Sequence, residues 1–153
     1  MSASLVGSEM CIRDRYNAAN MAGVDLTAGL TDMAYLRAQG TNGPIWALIA
    51  LDSHNYPTSG DVTREKLIQA ILDAQLPGGG WNLSGNDADP DMTAMAIQAL
   101  APYYKENDAV KAAVDKALDV LSELQLATGG FGSCIARRAA TNDNYLVFHI
   151  IHY

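Results

Sequence analysis

The clearest periodicity in the chain lies between Asn107 and Gln125. There Val110, Ala113, Val114, Ala117, Leu118, Leu121 and Leu124 recur at steps of three and four, with Lys111, Asp115, Lys116, Asp119 and Glu123 between them. That spacing predicts an amphipathic helix with one face on a core and one in water. A second such stretch runs to Gln75: Leu67, Ile68, Ile71 and Leu72 form the stripe, and Arg64, Glu65, Lys66, Gln69 and Asp73 are left for solvent. Asp61 or Thr63 is placed to cap it, because a short side-chain oxygen satisfies N–H groups that a first helical turn leaves open.

Two further segments are apolar nearly all round. Pro44 to about Ser53 contains IWALIALD, and Met92 to Leu100 reads MTAMAIQAL. A helix without a polar face belongs in an interior. Pro44 suits a first helical position, and Asp89-Pro90-Asp91 supplies an N-cap, a first residue and a carboxylate at the positive end of the helix dipole. Leu26 to Gln39 carries Leu26, Leu30, Met33 and Leu36 at near-helical spacing and predicts another helix. Gly40 to Gly43, His54 to Gly60 and Lys105 to Asp108 read as connections.

The order is therefore buried, amphipathic, buried, amphipathic, and it repeats in the letters as well. IWALIAL (45–51) overlays AMAIQAL (94–100) at an offset of 49, and ILDAQLPGGGW (71–81) overlays LSELQLATGGF (121–131) at an offset of 50. Repeats of this period mean two-helix units stacked around a shared core. Their joints have one grammar: Gln75, Gly79, Gly80 and Trp81 in the first, Gln125, Gly129, Gly130 and Phe131 in the second. The fold class expected is all-α.

Composition narrows the function classes. At 153 residues and 49% hydrophobic, the chain is long enough for one domain with a core. The formal net charge of −7 argues against nucleic acid and anionic membrane surfaces, which favour basic patches. No apolar run is long enough to span a bilayer, and no secretory leader is visible. Two end segments stand apart. Leu5 to Arg15, LVGSEMCIRDR, resembles one reading frame of a transposase sequencing adaptor, so residues 1–15 are expected to be non-native. After Ser133 the repeat grammar stops, and residues 134–153 are read as a doubtful tail, from a frameshift or a truncation. Between them, residues 16–133 have six Lys/Arg against fourteen Asp/Glu, a net −8. Both cysteines, Cys11 and Cys134, fall in the end segments, so no disulfide, redox compartment or thiolate zinc site is proposed.

Gln75 with glycines before Trp81 resembles the QW motif of squalene and terpene cyclases. Asp91-x-Thr93-Ala94-x-Ala96-x-x-Ala99-Leu100 resembles the start of an inner helix in the same superfamily. The phrases NGPIWALIALDSHNY, LDAQLPGGGW and DADPDMTAMAIQALAPYYK are most similar to prenyltransferase/squalene-cyclase-like repeat domains of bacterial surface proteins, over Asn20 to Ser133. The resemblance implies an α/α toroid of alternating inner and outer helices. A closed ring of that kind takes about six hairpins and this chain has about two and a half, so an open arc is expected. It implies a non-catalytic binding or structural module of a secreted or cell-surface protein, with the remaining toroid hairpins and an unidentified ligand or surface partner as its contacts. Uncovered apolar faces would make the piece alone poorly soluble.

Asp87, Asp89 and Asp91 form the one acidic constellation, and three readings stand beside one another. The first is capping and dipole complementarity. The second is a calcium site; the alternating spacing matches an EF-hand loop, but Met92 and Gln98 stand where its glycine and bidentate glutamate belong. The third is catalysis: the acids resemble the Asp-rich motif of class II terpene cyclases, which needs a carboxyl held protonated in a dry pocket. The D-A-D-P-D spacing lacks that motif's adjacent pair. Prenyl transfer in this superfamily implies zinc on Asp, Cys and His. His54 is the one histidine between the end segments, and a loop histidine without cysteines makes no such site. No cofactor is implied. Trp46, Tyr103 and Tyr104 are the candidate ligand-lining aromatics, with packing as the alternative. The catalytic set is incomplete, which points away from an enzyme; the competing reading is a fragment of a terpene or squalene cyclase-like enzyme using the Asp-rich acids.

Overall fold

The computed structural model describes residues 17–131. The adaptor-like segment, the 134–153 tail, Cys11 and Cys134 lie outside the described residues. Among the described residues five α-helices follow one another: α1 (Met33–Arg37), α2 (Asn42–Asp52), α3 (Arg64–Asp73), α4 (Pro90–Leu100) and α5 (Asp108–Leu124). Short 3-10 turns occupy Ala18–Asn20, Leu26–Gly29 and Ala101–Tyr103, and no strand is formed among the described residues.

The helix starts follow their side-chain caps. Thr63 accepts from the Lys66 N–H, Asp89 from the Asp91 and Met92 N–H groups, and Asn107 from those of Ala109 and Val110. Asp61, the alternative cap for α3, instead accepts from the Met33 N–H at 2.9 Å and so caps α1 across the fold. The Leu26–Gln39 helix is corrected: it splits into a 3-10 turn and the five-residue α1. Asp32 takes an extended backbone and accepts from Ala34 and Tyr35, which starts a new helix instead of continuing the old one. Helix α2 begins at Asn42, two residues before Pro44, and the proline still falls in the first turn, where its missing N–H costs no hydrogen bond. A Cβ on Gly43 would lie 2.0 Å from the Leu36 carbonyl oxygen, so only glycine lets α2 leave α1 this closely.

Helices α2 and α4 pack on each other, α3 packs on α2, α5 on α4, and α3 touches α5. Two hairpins thus stand side by side, apolar helix against apolar helix and amphipathic against amphipathic. The interior joins Ile45, Leu48 and Leu51 of α2 to Leu67 and Ile71 of α3, Ala96 and Leu100 of α4, and Val110 and Ala117 of α5. Small residues on α4 permit close approach, and burying each large aliphatic side chain contributes roughly 1.5–3 kcal/mol.

Candidate functional site

The Gln75–Trp81 joint is a hairpin turn stitched at both ends. Leu76 N–H donates to the Gly80 carbonyl at 3.1 Å and Gly79 N–H to the Leu76 carbonyl at 2.8 Å, with Gly79 at φ +98°. A turn followed by a left-handed residue is the three-residue loop that favours glycine at that position. Trp81 is fully buried; its indole N–H donates to the Ile71 carbonyl at 2.7 Å, and its backbone N–H to Thr93 Oγ1 at 3.0 Å. Thr93, the one buried polar side chain among the described residues, therefore ties α4 to the joint.

The joint also grips the neighbouring hairpin. Gln75 Nε2 donates to the Ala113 carbonyl at 2.8 Å, and Lys116 Nζ to the Pro77 carbonyl at 2.7 Å. A Cβ on Gly79 would lie 2.9 Å from Lys116 Cγ and 3.0 Å from Val120 Cγ2.

Beyond Trp81 the chain loops out to the aspartates. The Asn82 side-chain amide donates to the Asp87 carbonyl, and Asp89 N–H closes the loop on the Trp81 carbonyl at 2.8 Å. Asp87 is exposed, whereas Asp89 and Asp91 are half-buried. Asp89 Oδ1 accepts from the Asp91 N–H at 2.9 Å and the Met92 N–H at 3.0 Å. Burial, and secondarily the neighbouring Asp89 charge, hold the Asp91 carboxyl above the usual carboxylate range. No group of three or more His, Cys, Asp or Glu side chains is arranged to hold a metal ion among the described residues.

The aromatic candidates divide. Trp46 is half-buried on α2. Tyr103 donates its hydroxyl to Asp52 Oδ2 at 2.8 Å, and Tyr104 donates to Asp115 Oδ1 at 2.6 Å, so both hydroxyls are engaged within the fold. Asp52, at the end of α2, also receives Arg64 Nε at 2.7 Å, and Arg64 reaches the Leu51 and Tyr56 carbonyls. This knot joins the ends of α2 and α4 to the start of α3. Burial and then the Asp52 carboxylate push the Tyr103 phenol up to about 12.

Periodicity missed this knot, because its members are 12 and 51 positions apart; the available signal was an aspartate closing an otherwise apolar helix. Thr93 was visible as the lone hydroxyl in MTAMAIQAL, but not its role. His54 is exposed and stacks on Tyr56 at 5.7 Å. An open cavity of about 280 Å³ lies elsewhere, between the α1–α2 corner and α3, lined by Arg37, Thr41, Pro44, Ala70 and Asp73. None of the aspartate or aromatic candidates lines it.

No family model, curated protein or solved structure matches the chain.

Proposed function

We propose that this chain is an arc of an α/α toroid from a secreted or cell-surface bacterial protein, serving as a non-catalytic binding or structural module. The observation that carries the reading is the doubled hairpin: an apolar helix recurs at an offset of 49, and an amphipathic helix with its Gln-Gly-Gly-aromatic joint at an offset of 50, with the same backbone hydrogen bonds at Leu76/Gly79/Gly80 and Leu126/Gly129/Gly130. The aspartates support it too, since Asp89 Oδ1 accepts both N–H groups of the α4 cap. The calcium reading keeps Asp87, Asp91 and the second oxygen of Asp89 as its donors.

One observation favours the enzyme reading: the Asp91 carboxyl is shifted in the direction a general acid requires. Incubation of the chain with squalene and with prenyl diphosphates separates the two. No turnover is expected. Product formation that Asp91→Asn abolishes while the helical circular-dichroism signal persists would establish the cyclase-like enzyme instead.

A further inference from the structure

The two joints have the same backbone but different surroundings. In the first, Gln75 reaches Ala113 of α5, Lys116 caps the Pro77 carbonyl, and Gly79 sits against Lys116 and Val120. In the second, the Gln125 amide folds back on its own loop, donating to the Gly129 carbonyl at 2.9 Å. Among the described residues, nothing lies within 4 Å of a Cβ built on Gly129.

The apolar positions differ in the same sense. Ile68 is 7% exposed and its counterpart fifty residues on, Leu118, is 50% exposed. Leu76 is half-buried where Leu126 is exposed. The first hairpin is covered by α5; among the described residues of the second, Leu118 and Leu126 are exposed at the equivalent positions.

We propose that the Gln125–Phe131 joint and Leu118 form a docking face for one further amphipathic helix. That helix carries the three features α5 shows to the first joint: a small residue offering its carbonyl, a lysine three positions on, and a β-branched residue seven positions on. Gln125 turns from Gly129 to the small residue's carbonyl, as Gln75 does with Ala113. The lysine donates to the Ala127 carbonyl, the counterpart of Pro77. The β-branched side chain lies over Gly129. A bulkier residue at the first position would keep the backbone from the glutamine, and an acid at the second would face a carbonyl oxygen. The inference rests on the arc reading and specifies the partner of its second joint.

The test titrates the full chain, isotope-labelled for NMR, with a peptide of sequence 108–124. The peptide is helix-locked by a staple joining positions 111 and 115, opposite the contact face, and its helicity is verified by circular dichroism. Saturable shift changes are expected at Leu118, Leu126, Gly129 and Gly130. Peptides carrying Lys116→Glu or Ala113→Leu should bind at least about tenfold more weakly, the first losing a charge-assisted hydrogen bond and setting a carboxylate against a carbonyl oxygen, the second holding the backbone away from the glutamine. In the chain, Gly129→Asn should abolish binding with the spectrum otherwise unchanged, since asparagine tolerates a φ of +85° and its side chain enters open space.

The proposal is overturned by no shifts at saturating peptide, by shifts centred on Gly79 and Gly80 through exchange with α5, or by equal affinity for the Lys116→Glu peptide. Concentration-dependent dimerisation of the chain that Gly129→Asn removes, without peptide binding, assigns the face to a second copy and likewise overturns it. The arc reading is scored separately in the same spectra, from contacts between α2 and α4. Their absence defeats that reading, whereas their presence without binding defeats only the docking helix.

Discussion

The joints at Gln75–Trp81 and Gln125–Phe131 use the same turn, yet one is a keystone and the other an edge. Trp81 is fully buried, pinned to Ile71 and Thr93, and pressed on α5 through Gly79. Phe131 is half-buried, its phenyl ring carries no donor to pin it, and Leu126 in the same joint is 52% exposed. The backbone bonds of the turn are local and form in both. What separates them is whether a neighbouring hairpin lies on top, because burial needs a second surface and a turn alone has none.

The sharpest contrast should come from truncating the two aromatics. Trp81→Ala is expected to cost about 3–5 kcal/mol, the usual loss for a buried indole, and Phe131→Ala about 1 kcal/mol, both read from urea unfolding. Equal losses would erase the keystone–edge distinction. Next comes Thr93→Val, which keeps the shape but leaves the buried Trp81 N–H without its acceptor. About 2 kcal/mol should be lost, and a neutral result would mean that α4 is not tied to the joint through this hydroxyl.

Gly79→Ala and Gly129→Ala both place an alanine at a left-handed backbone, at about 1 kcal/mol each. Only the first also drives a Cβ into Lys116 and Val120, so it should unfold at lower urea, by about 1 kcal/mol more. Identical midpoints would show that α5 does not press on the first turn.

The smallest effect lies at the other end of the hairpins. The folded-state Tyr103 phenol is pushed above its unfolded value, to about 12. The unfolded chain therefore loses that proton first as pH rises. The stabilisation is complete below about pH 10 and is lost between pH 10 and 12. Allowing for solvent screening of this half-buried group, it amounts to on the order of 1 kcal/mol. Tyr103→Phe should remove that part of the alkaline slope, measured as the difference between the two unfolding curves. A Phe variant with an unchanged slope would detach Tyr103 from the Asp52–Arg64 knot.

Much of the helical layout was legible because it depends on neighbours in sequence. The stripes of α3 and α5, the Thr63 and Asp89 caps and the Gly79 turn all use residues within a few positions of one another. The Leu26–Gln39 reading failed where periodicity met a competing local bond: Asp32 caps α1, and Asp61, from a distant loop, seals the same turn. Of the site candidates, the capping role of Asp89 was readable from Asp-Pro-Asp. The engagement of Tyr103 with Asp52 was not, since a 51-residue separation leaves no mark in a local window.

By itself, then, the amino-acid order determined two apolar helices, two amphipathic ones and a turn repeated at a fixed offset, because hydrophobic period, capping and glycine backbone freedom act over a few residues. Tertiary structure alone decided that α3 lies against α5, that Gln75 spends its amide on Ala113, and that Trp81 is enclosed while Phe131 stands at an edge. The reason is physical: a turn fixes its own dihedrals, but only a packed neighbour removes its side chains from water.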